Sequence, residues 1–139
     1  HTGTAEPAFQ QLEILREQGV SPTALIWTHA HNEPDFGQHF KAAKEGVWIA
    51  FDNYKIERTE RYVEFALEMK KHGLLHKLLF SHDAGWYRPG EPGGGNFRGF
   101  TDIENYLIPA LQENGLSQQD IHQLFVLNPA SAFEVKSKG

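Results

Sequence analysis

Histidine and aspartate side chains recur along this chain at similar distances, and most of them follow a short apolar segment. They are His1, His29, Asp52 and Asp83, separated by 28, 23 and 31 positions. Imidazole and carboxylate groups are ligands that Zn²⁺ and similar divalent cations accept. A cation held in this way lowers the pKa of bound water to about 7, so that water becomes a usable nucleophile. The spacing therefore indicates a hydrolytic metal site, provided that the four residues meet at one place.

Three of these residues follow segments that are predicted to be buried parallel strands, at 24–27, 47–51 and 78–80. Short apolar runs bounded by turn signals are typical of strands that are covered on both faces. Amphipathic helices are predicted between them, one of them with Asn32 as its N-cap. The helices end at glycines, the preferred residue just past a helix: Gly19, Gly46, Gly73 and Gly115. This alternation predicts consecutive βα units, whose strand exits converge at one rim.

The motif Ser81-His82-Asp83 ends the last predicted strand and opens a loop rich in glycine and proline over 88–99. Acids just beyond strand ends are functional candidates in α/β folds, although an aspartate also caps turns, and the motif alone favours neither interpretation. Trp86 and Tyr87 either line a pocket or shield the end of the sheet. Arg88 and Arg98 either hold an anionic substrate or are simply solvated. A loop of this length is typical of a mobile lid.

His29 is favoured over His31 as a metal ligand, because Asn32-Glu33-Pro34 already turns the chain away from the strand. His31 is interpreted as a loop residue or as a support for the ligands. Other histidines lie on predicted helices or at their ends, where we expect them to be solvated: His39, His72, His76 and His122.

Composition restricts the function further. The chain has 139 residues, no cysteine and a formal net charge of −5. One domain over 1–139 is expected, without disulfides or thiolate metal ligands. Mild acidity argues against nucleic acid as a partner, and no apolar run is long enough to cross a bilayer. The first residues do not resemble a secretory signal, which favours the cytoplasm over secretion, and a small-molecule substrate is the expected partner.

Taken together, these motifs resemble the phosphotriesterase family of the amidohydrolase superfamily. His1-Thr2-Gly3 resembles the end of strand five of its (β/α)8 TIM barrel, Thr28-His29 the end of strand six, and Ser81-His82-Asp83 the end of strand eight. The closing segment 120–130 is similar as well. The resemblance implies that the chain is the C-terminal half of the barrel, with parallel strands inside and helices outside.

The resemblance also implies a binuclear metal centre, commonly of two zinc ions. His1 and His29 would hold one metal, and Asp83 would bind the other and take a proton from the metal-bound hydroxide that attacks an ester, lactone or phosphotriester. Trp86, Tyr87, Arg88 and Arg98 would contact substrate, and His31, Asp52 and His82 would support the ligands. Asn32 and Asn53 replace the proton-relay residues of the paraoxon-hydrolysing enzymes, which favours esterase or lactonase activity.

The family also uses a His-x-His pair from strand one and a bridging lysine or glutamate from strand four, and this chain contains neither strand. We therefore expect it to associate with a complementary N-terminal half-barrel or with itself, because an open half-barrel exposes strand edges and apolar surface. Two alternatives remain. One is a non-catalytic half-barrel with at most one weak metal site, and the other is a metal-free enzyme that uses Asp83 and His82 as an acid/base pair.

Overall fold

Three parallel strands form one sheet in the order β1-β2-β3, in a computed structural model that describes residues 1–135. The strands are β1 (Ile26–Trp27), β2 (Trp48–Phe51) and β3 (Leu78–Phe80). Ile26 pairs with Trp48, and Ile49 pairs with Leu78. The helices are α1 (Ala5–Glu17), α2 (Phe36–Lys44), α3 (Thr59–Lys71), α4 (Ile108–Glu113), α5 (Gln118–His122) and α6 (Asn128–Phe133). The strand–helix alternation predicted from the sequence is confirmed.

The core lies between the sheet and the helices that connect its strands. Trp27, Ile49 and Phe51 are at most 1% exposed on the helix-facing side. Phe51 stacks on Phe65 of α3 with ring centroids 3.9 Å apart. The strand residues next to these point away from the helices, because successive side chains along a strand face opposite sides of the sheet. The sheet thus has one fully packed face that fixes where its carboxyl edge lies.

The opposite face of the sheet is only partly covered. Ile26 and Ala50 are half-buried there, and they line a cavity of about 270 Å³ together with Pro129 and Phe133 of α6. Strands β1 and β3 are the two edges. Among residues 1–135, no helix is long and apolar enough to cross a bilayer.

Helix α2 begins later than the sequence predicted. Asn32 does not cap it, because Ala30–Asn32 forms a separate 3₁₀ turn. Glu33 precedes a proline and is extended, as the clash with the proline ring requires. Asp35 is the actual N-cap, and its side chain accepts a hydrogen bond from the Gly37 amide at 2.8 Å.

Two π-helical turns, Ile103–Leu107 and Gln123–Leu127, lead directly into α4 and α6. Pro109 and Pro129 lie in the first turn of these two helices. A proline inside a continuous helix cannot donate the usual hydrogen bond and clashes with the carbonyl four residues earlier, so a wider turn relieves the conflict. The prolines therefore explain both turns.

His39 of α2 is fully buried, so the expectation that it is solvated was wrong. Its ring lies among Trp27, Phe51 and Phe65, and its Nε2 is 2.8 Å from the Ala30 carbonyl oxygen. Burial lowers the pKa of His39 to about 4, and the hydrogen bond to Ala30 opposes this shift only in part. The folded chain therefore holds a neutral imidazole in an aromatic pocket.

Lowering the pH should destabilise the fold because of His39. Below pH 6.5 the unfolded chain binds a proton at this side chain that the folded chain does not bind until about pH 4. The free energy of unfolding should therefore decrease by up to about 3 kcal/mol over that interval. Urea unfolding between pH 7 and pH 5, with chelator present, should show a steeper loss for the wild type than for His39→Leu. Equal slopes would contradict this assignment.

Candidate metal centre at the strand exits

The carboxyl ends of the three strands lie at one edge of the sheet, and each is followed by a residue with positive φ. These residues are His29 (φ 60°), Asn53 (φ 55°) and Asp83 (φ 44°). The left-handed conformation costs a residue other than glycine about 1 kcal/mol or more, and such strain concentrates at functional sites. The strained bends lie two residues beyond β1 and β2 and three residues beyond β3, and two of them carry residues that were predicted to be metal ligands, His29 and Asp83.

A buried carboxylate orients the ring of His29. Asp52 is only 4% exposed, and its two oxygens contact the His29 amide at 2.8 Å and the His29 Nδ1 at 2.5 Å. A carboxylate at Nδ1 favours the tautomer that carries its proton there, which leaves a lone pair on Nε2. His29 is thus arranged to bind a cation through Nε2.

His31 lies on the other side of the same carboxylate. Its Nδ1 is 3.2 Å from Asp52 Oδ1, and its side chain is 6% exposed. Despite this short distance, His31 Nδ1 has no hydrogen-bond partner of acceptable geometry. Burial by itself would raise the pKa of Asp52, but interactions with His31 and with the amide and ring of His29 outweigh it and lower the pKa. Asp52 is therefore ionised at neutral pH.

The Nε2 atoms of His1 and His29 converge to 2.7 Å, with the two rings nearly perpendicular at 88°. Nitrogens that share a tetrahedral Zn²⁺ lie about 3.3 Å apart, given Zn–N distances of about 2.0–2.1 Å. A small opening of the pair would satisfy this requirement. His29, His31 and Asp52 form a further group of possible ligands whose donor atoms lie within 4.8 Å of one another. These nitrogen and oxygen donors fit a divalent cation of the zinc type.

Asp83 reaches the same place from β3. A cavity of about 290 Å³ is lined by His1, His29, Asp52 and Asp83, with Trp86 at its side. The structure therefore brings together the three residues that the resemblance identified as metal ligands. Their individual roles as ligands and catalyst remain predictions.

The segment that carries His1 is fixed to the β1 exit by three hydrogen bonds. The Gly3 amide donates to the Thr28 carbonyl at 3.2 Å, and the Trp27 indole donates to the Gly3 carbonyl at 3.0 Å. The carboxylate of Glu33, which is 9% exposed, accepts from the Ala5 amide at 2.9 Å. Its other oxygen accepts from the Asp35 amide at 3.0 Å. Glu33 thus connects the His1 segment to the loop that follows His29.

Replacing Glu33 with glutamine should weaken metal binding about 10-fold, the lower end of the effect typical of groups that orient metal ligands. Each carboxylate oxygen of Glu33 accepts a hydrogen bond from one backbone amide. A glutamine side chain has only one oxygen acceptor, and its NH₂ group would face the N–H of the second backbone amide, donor against donor. Competition with a chromophoric chelator for Zn²⁺ measures the affinity. Glu6→Gln, an exposed change on α1 next to Ala5, is the control. Unchanged affinity in Glu33→Gln would refute the positioning role.

The loop after β3 is attached to the strand exits by Arg98. Its guanidinium donates to the carbonyls of Tyr54 (2.8 Å), His82 (2.6 Å) and Asp83 (2.6 Å), and to Asn53 Oδ1 (3.1 Å). These contacts span two neighbouring strand exits, β2 and β3. Arg98 therefore has a structural role that the sequence did not indicate, because three of its four acceptors are backbone carbonyls 15 to 44 positions away.

The other loop residues singled out from the sequence differ in their exposure and contacts. The Trp86 indole donates to the Asp83 carbonyl at 3.1 Å, although its side chain is largely exposed. Tyr87 packs on Gly94, where an added Cβ would lie 2.2 Å from the ring. Arg88 is exposed and lies 3.6 Å from Glu91. His82 accepts from the Ile103 amide at 3.0 Å, and burial lowers the pKa of His82.

Comparison with known proteins agrees with this geometry. The model of the phosphotriesterase family matches residues 1–133. The chain is 26% identical over 143 residues to a phosphotriesterase homology protein of Mycobacterium tuberculosis, covering 96% of this chain and 43% of that protein. It is 28% identical over 135 residues to an aryldialkylphosphatase of Saccharolobus solfataricus, covering 90% and 43% respectively.

Solved structures of the same family also match this chain over only part of their length. The phosphotriesterase from Mycobacterium tuberculosis superposes with a TM-score of 0.77 at 25% identity, covering 91% of this chain and 42% of that one. The chain thus spans less than half the length of the relatives that it matches. Its parallel sheet with outer helices corresponds to part of their TIM barrel.

Proposed function

Because this chain belongs to the phosphotriesterase family, we propose that it supplies part of the active site of a metal-dependent hydrolase. The bond cleaved would be that of an ester, lactone or phosphotriester. One observation carries the proposal: the Nε2 atoms of His1 and His29 converge, with Asp52 behind His29 and Asp83 in the same cavity. A centre of two zinc ions is proposed for the complete barrel.

Each residue at the site has a proposed task. His1 and His29 would bind a cation through Nε2, and Asp52 would hold the proton at His29 Nδ1. A bound divalent cation would polarise the substrate and lower the pKa of water. Asp83 would contribute a carboxylate oxygen to a second cation and accept a proton from the attacking water. Trp86, at the side of the cavity, would exclude bulk water from the reaction.

The substrate is proposed from residues next to the metal site. Asn32 and Asn53 stand where the paraoxon-hydrolysing members of the family carry proton-relay residues, and an amide cannot relay a proton in that way. This favours an ester or lactone over a phosphotriester. Tyr87, Arg88 and Arg98 were predicted to contact substrate, and Arg98 would do so only indirectly, by holding the loop.

A partner is proposed for the open face of the sheet. Its edge strands β1 and β3 and its apolar cavity between Ala50 and Phe133 are the surfaces that a complementary half-barrel would cover. Without that half the chain should self-associate. Sedimentation velocity at several concentrations tests this, and a cooperative monomer at all concentrations would refute it.

A second candidate is a non-catalytic scaffold with at most one weakly held cation. The observation that favours it is the group of possible ligands found within residues 1–135, His29, His31 and Asp52, which is enough for one cation. Such a scaffold would hold that cation without supplying a second metal position.

Metal analysis together with a hydrolysis assay separates the two candidates. The chain would be equilibrated with Zn²⁺, alone and with a complementary N-terminal half from a relative, and bound metal counted after gel filtration. Two equivalents and turnover of p-nitrophenyl acetate or a simple lactone are expected for the reconstituted barrel. About one weakly held ion without turnover would support the scaffold, and no bound metal would overturn both.

A further inference from the structure

A second cavity of about 330 Å³ shares Asp83 and Trp86 with the candidate metal site. Its remaining lining is strongly cationic, and it includes Lys55, Arg88 and Arg98. Asp83 is the one acidic residue that lines it, and that carboxylate is assigned to the metal under the proposed function. The space beside the reaction site therefore has an excess of positive charge.

The three cations differ in whether they already have partners. Arg98 donates to three carbonyls and to the Asn53 side chain. Arg88 has a long contact of 3.6 Å with Glu91, and both side chains are exposed, so water and salt screen this ion pair. Lys55, two residues beyond Asn53 at the β2 exit, is half-buried and has no ion pair or side-chain hydrogen bond within residues 1–135. An ammonium group without a counter-charge in a cavity is suited to an anion from outside the chain.

We propose that this second cavity binds an acidic group of the substrate, a carboxylate or a phosphate, and that Lys55 is the residue that selects it. Arg88 assists from the rim, and Arg98 keeps the two strand exits in place. The scissile bond then lies in the first cavity and the acidic group in the second, with Asp83 between them. This inference rests on the proposed function for the substrate's orientation, but the anion site itself does not depend on hydrolysis.

The site can be tested by binding alone. Inorganic phosphate and succinate would be titrated into the whole chain by calorimetry, once with chelator and once with Zn²⁺, so that binding to the metal is separated from binding to the cavity. In chelator, Lys55→Met should bind the preferred anion about 10-fold more weakly than wild type, as expected for loss of one charge-assisted hydrogen bond. Lys44→Met, an exposed change on α2, should bind like wild type.

The two probes identify the source of the negative charge. Tighter binding of phosphate indicates a phosphorylated substrate, and tighter binding of succinate indicates a carboxylic acid. Wild type that binds neither probe at millimolar concentration, or Lys55→Met that binds both as wild type does, would overturn the proposal. Failure of hydrolysis alone would affect only the proposed function, because these titrations measure no turnover.

If the barrel hydrolyses esters, a kinetic test follows. Mono-p-nitrophenyl succinate carries the acid that p-nitrophenyl acetate lacks. Lys55→Met should raise the KM for the succinate ester about 10-fold and leave its kcat, and both constants for the acetate, unchanged. An equal effect on the two esters would show that Lys55 does not recognise the acidic group.

Discussion

Asp83→Asn should reduce metal-supported hydrolysis of p-nitrophenyl acetate about 1,000-fold, within the range by which positioned proton-transfer groups accelerate reactions. The asparagine side chain keeps the size of aspartate but can neither accept the proton nor carry the negative charge. Asp83 is half-buried in the cavity that also contains His1 and His29. Steady-state kinetics of the reconstituted barrel, with zinc in excess, measure the effect.

Asp102→Asn is the matched control for this change. Asp102 is also half-buried and starts the helical segment after the loop, where its side chain makes no capping hydrogen bond. It should retain wild-type turnover. Near-wild-type activity of Asp83→Asn, with metal content intact, would show that another group takes the proton, and the assignment of Asp83 as catalytic residue would fail.

His29→Ala should lower the affinity for Zn²⁺ by more than about 100-fold, beyond the range reported for groups that only orient a ligand. The substitution removes the Nε2 that faces His1. It also removes the ring contact to the buried Asp52 carboxylate, which keeps from residue 29 only the backbone amide. The second effect should destabilise the metal-free fold, since a buried carboxylate loses a hydrogen-bond partner. Zn²⁺ competition and urea unfolding in chelator measure the two consequences separately.

His122→Ala is the control, because His122 is exposed on α5, away from the strand exits. It should change neither quantity. If His29→Ala bound zinc as tightly as wild type, the cation would be held elsewhere, and the group formed by His31 and Asp52 would become the next candidate.

Local patterns sufficed to predict much of this fold. Apolar runs before Thr28, Asp52 and Ser81 became parallel strands, and Gly46 ends α2 with a φ of 105° as its position after the helix predicted. Errors arose where tertiary contacts outweighed local signals. His39 reads as a polar helix residue, yet the aromatic rings around it exclude water, and Pro34 moved the start of α2 from Asn32 to Asp35.

The candidate site was predictable only in part. Parallel strand exits must meet at one edge, so the convergence of His1, His29 and Asp83 followed from the order of the elements. The roles of Glu33 and Arg98 could not be predicted in this way, because most of their partners are backbone amides and carbonyls distant in the sequence. Backbone groups carry no signature in the amino-acid sequence.

The four bonds of Arg98 also bear on how this enzyme family could change its specificity. They close the base of the loop at Asp83, and the amide of Gly85 adds a bond to the Arg98 carbonyl at 3.0 Å. Residues 88–96 lie beyond this closure, so an insertion or an exchanged segment there would not be transmitted to the strand ends. A designer who grafts new sequence into this stretch, and keeps Gly85 and Arg98, can vary the surface of the loop while the geometry of the strand exits below stays unchanged.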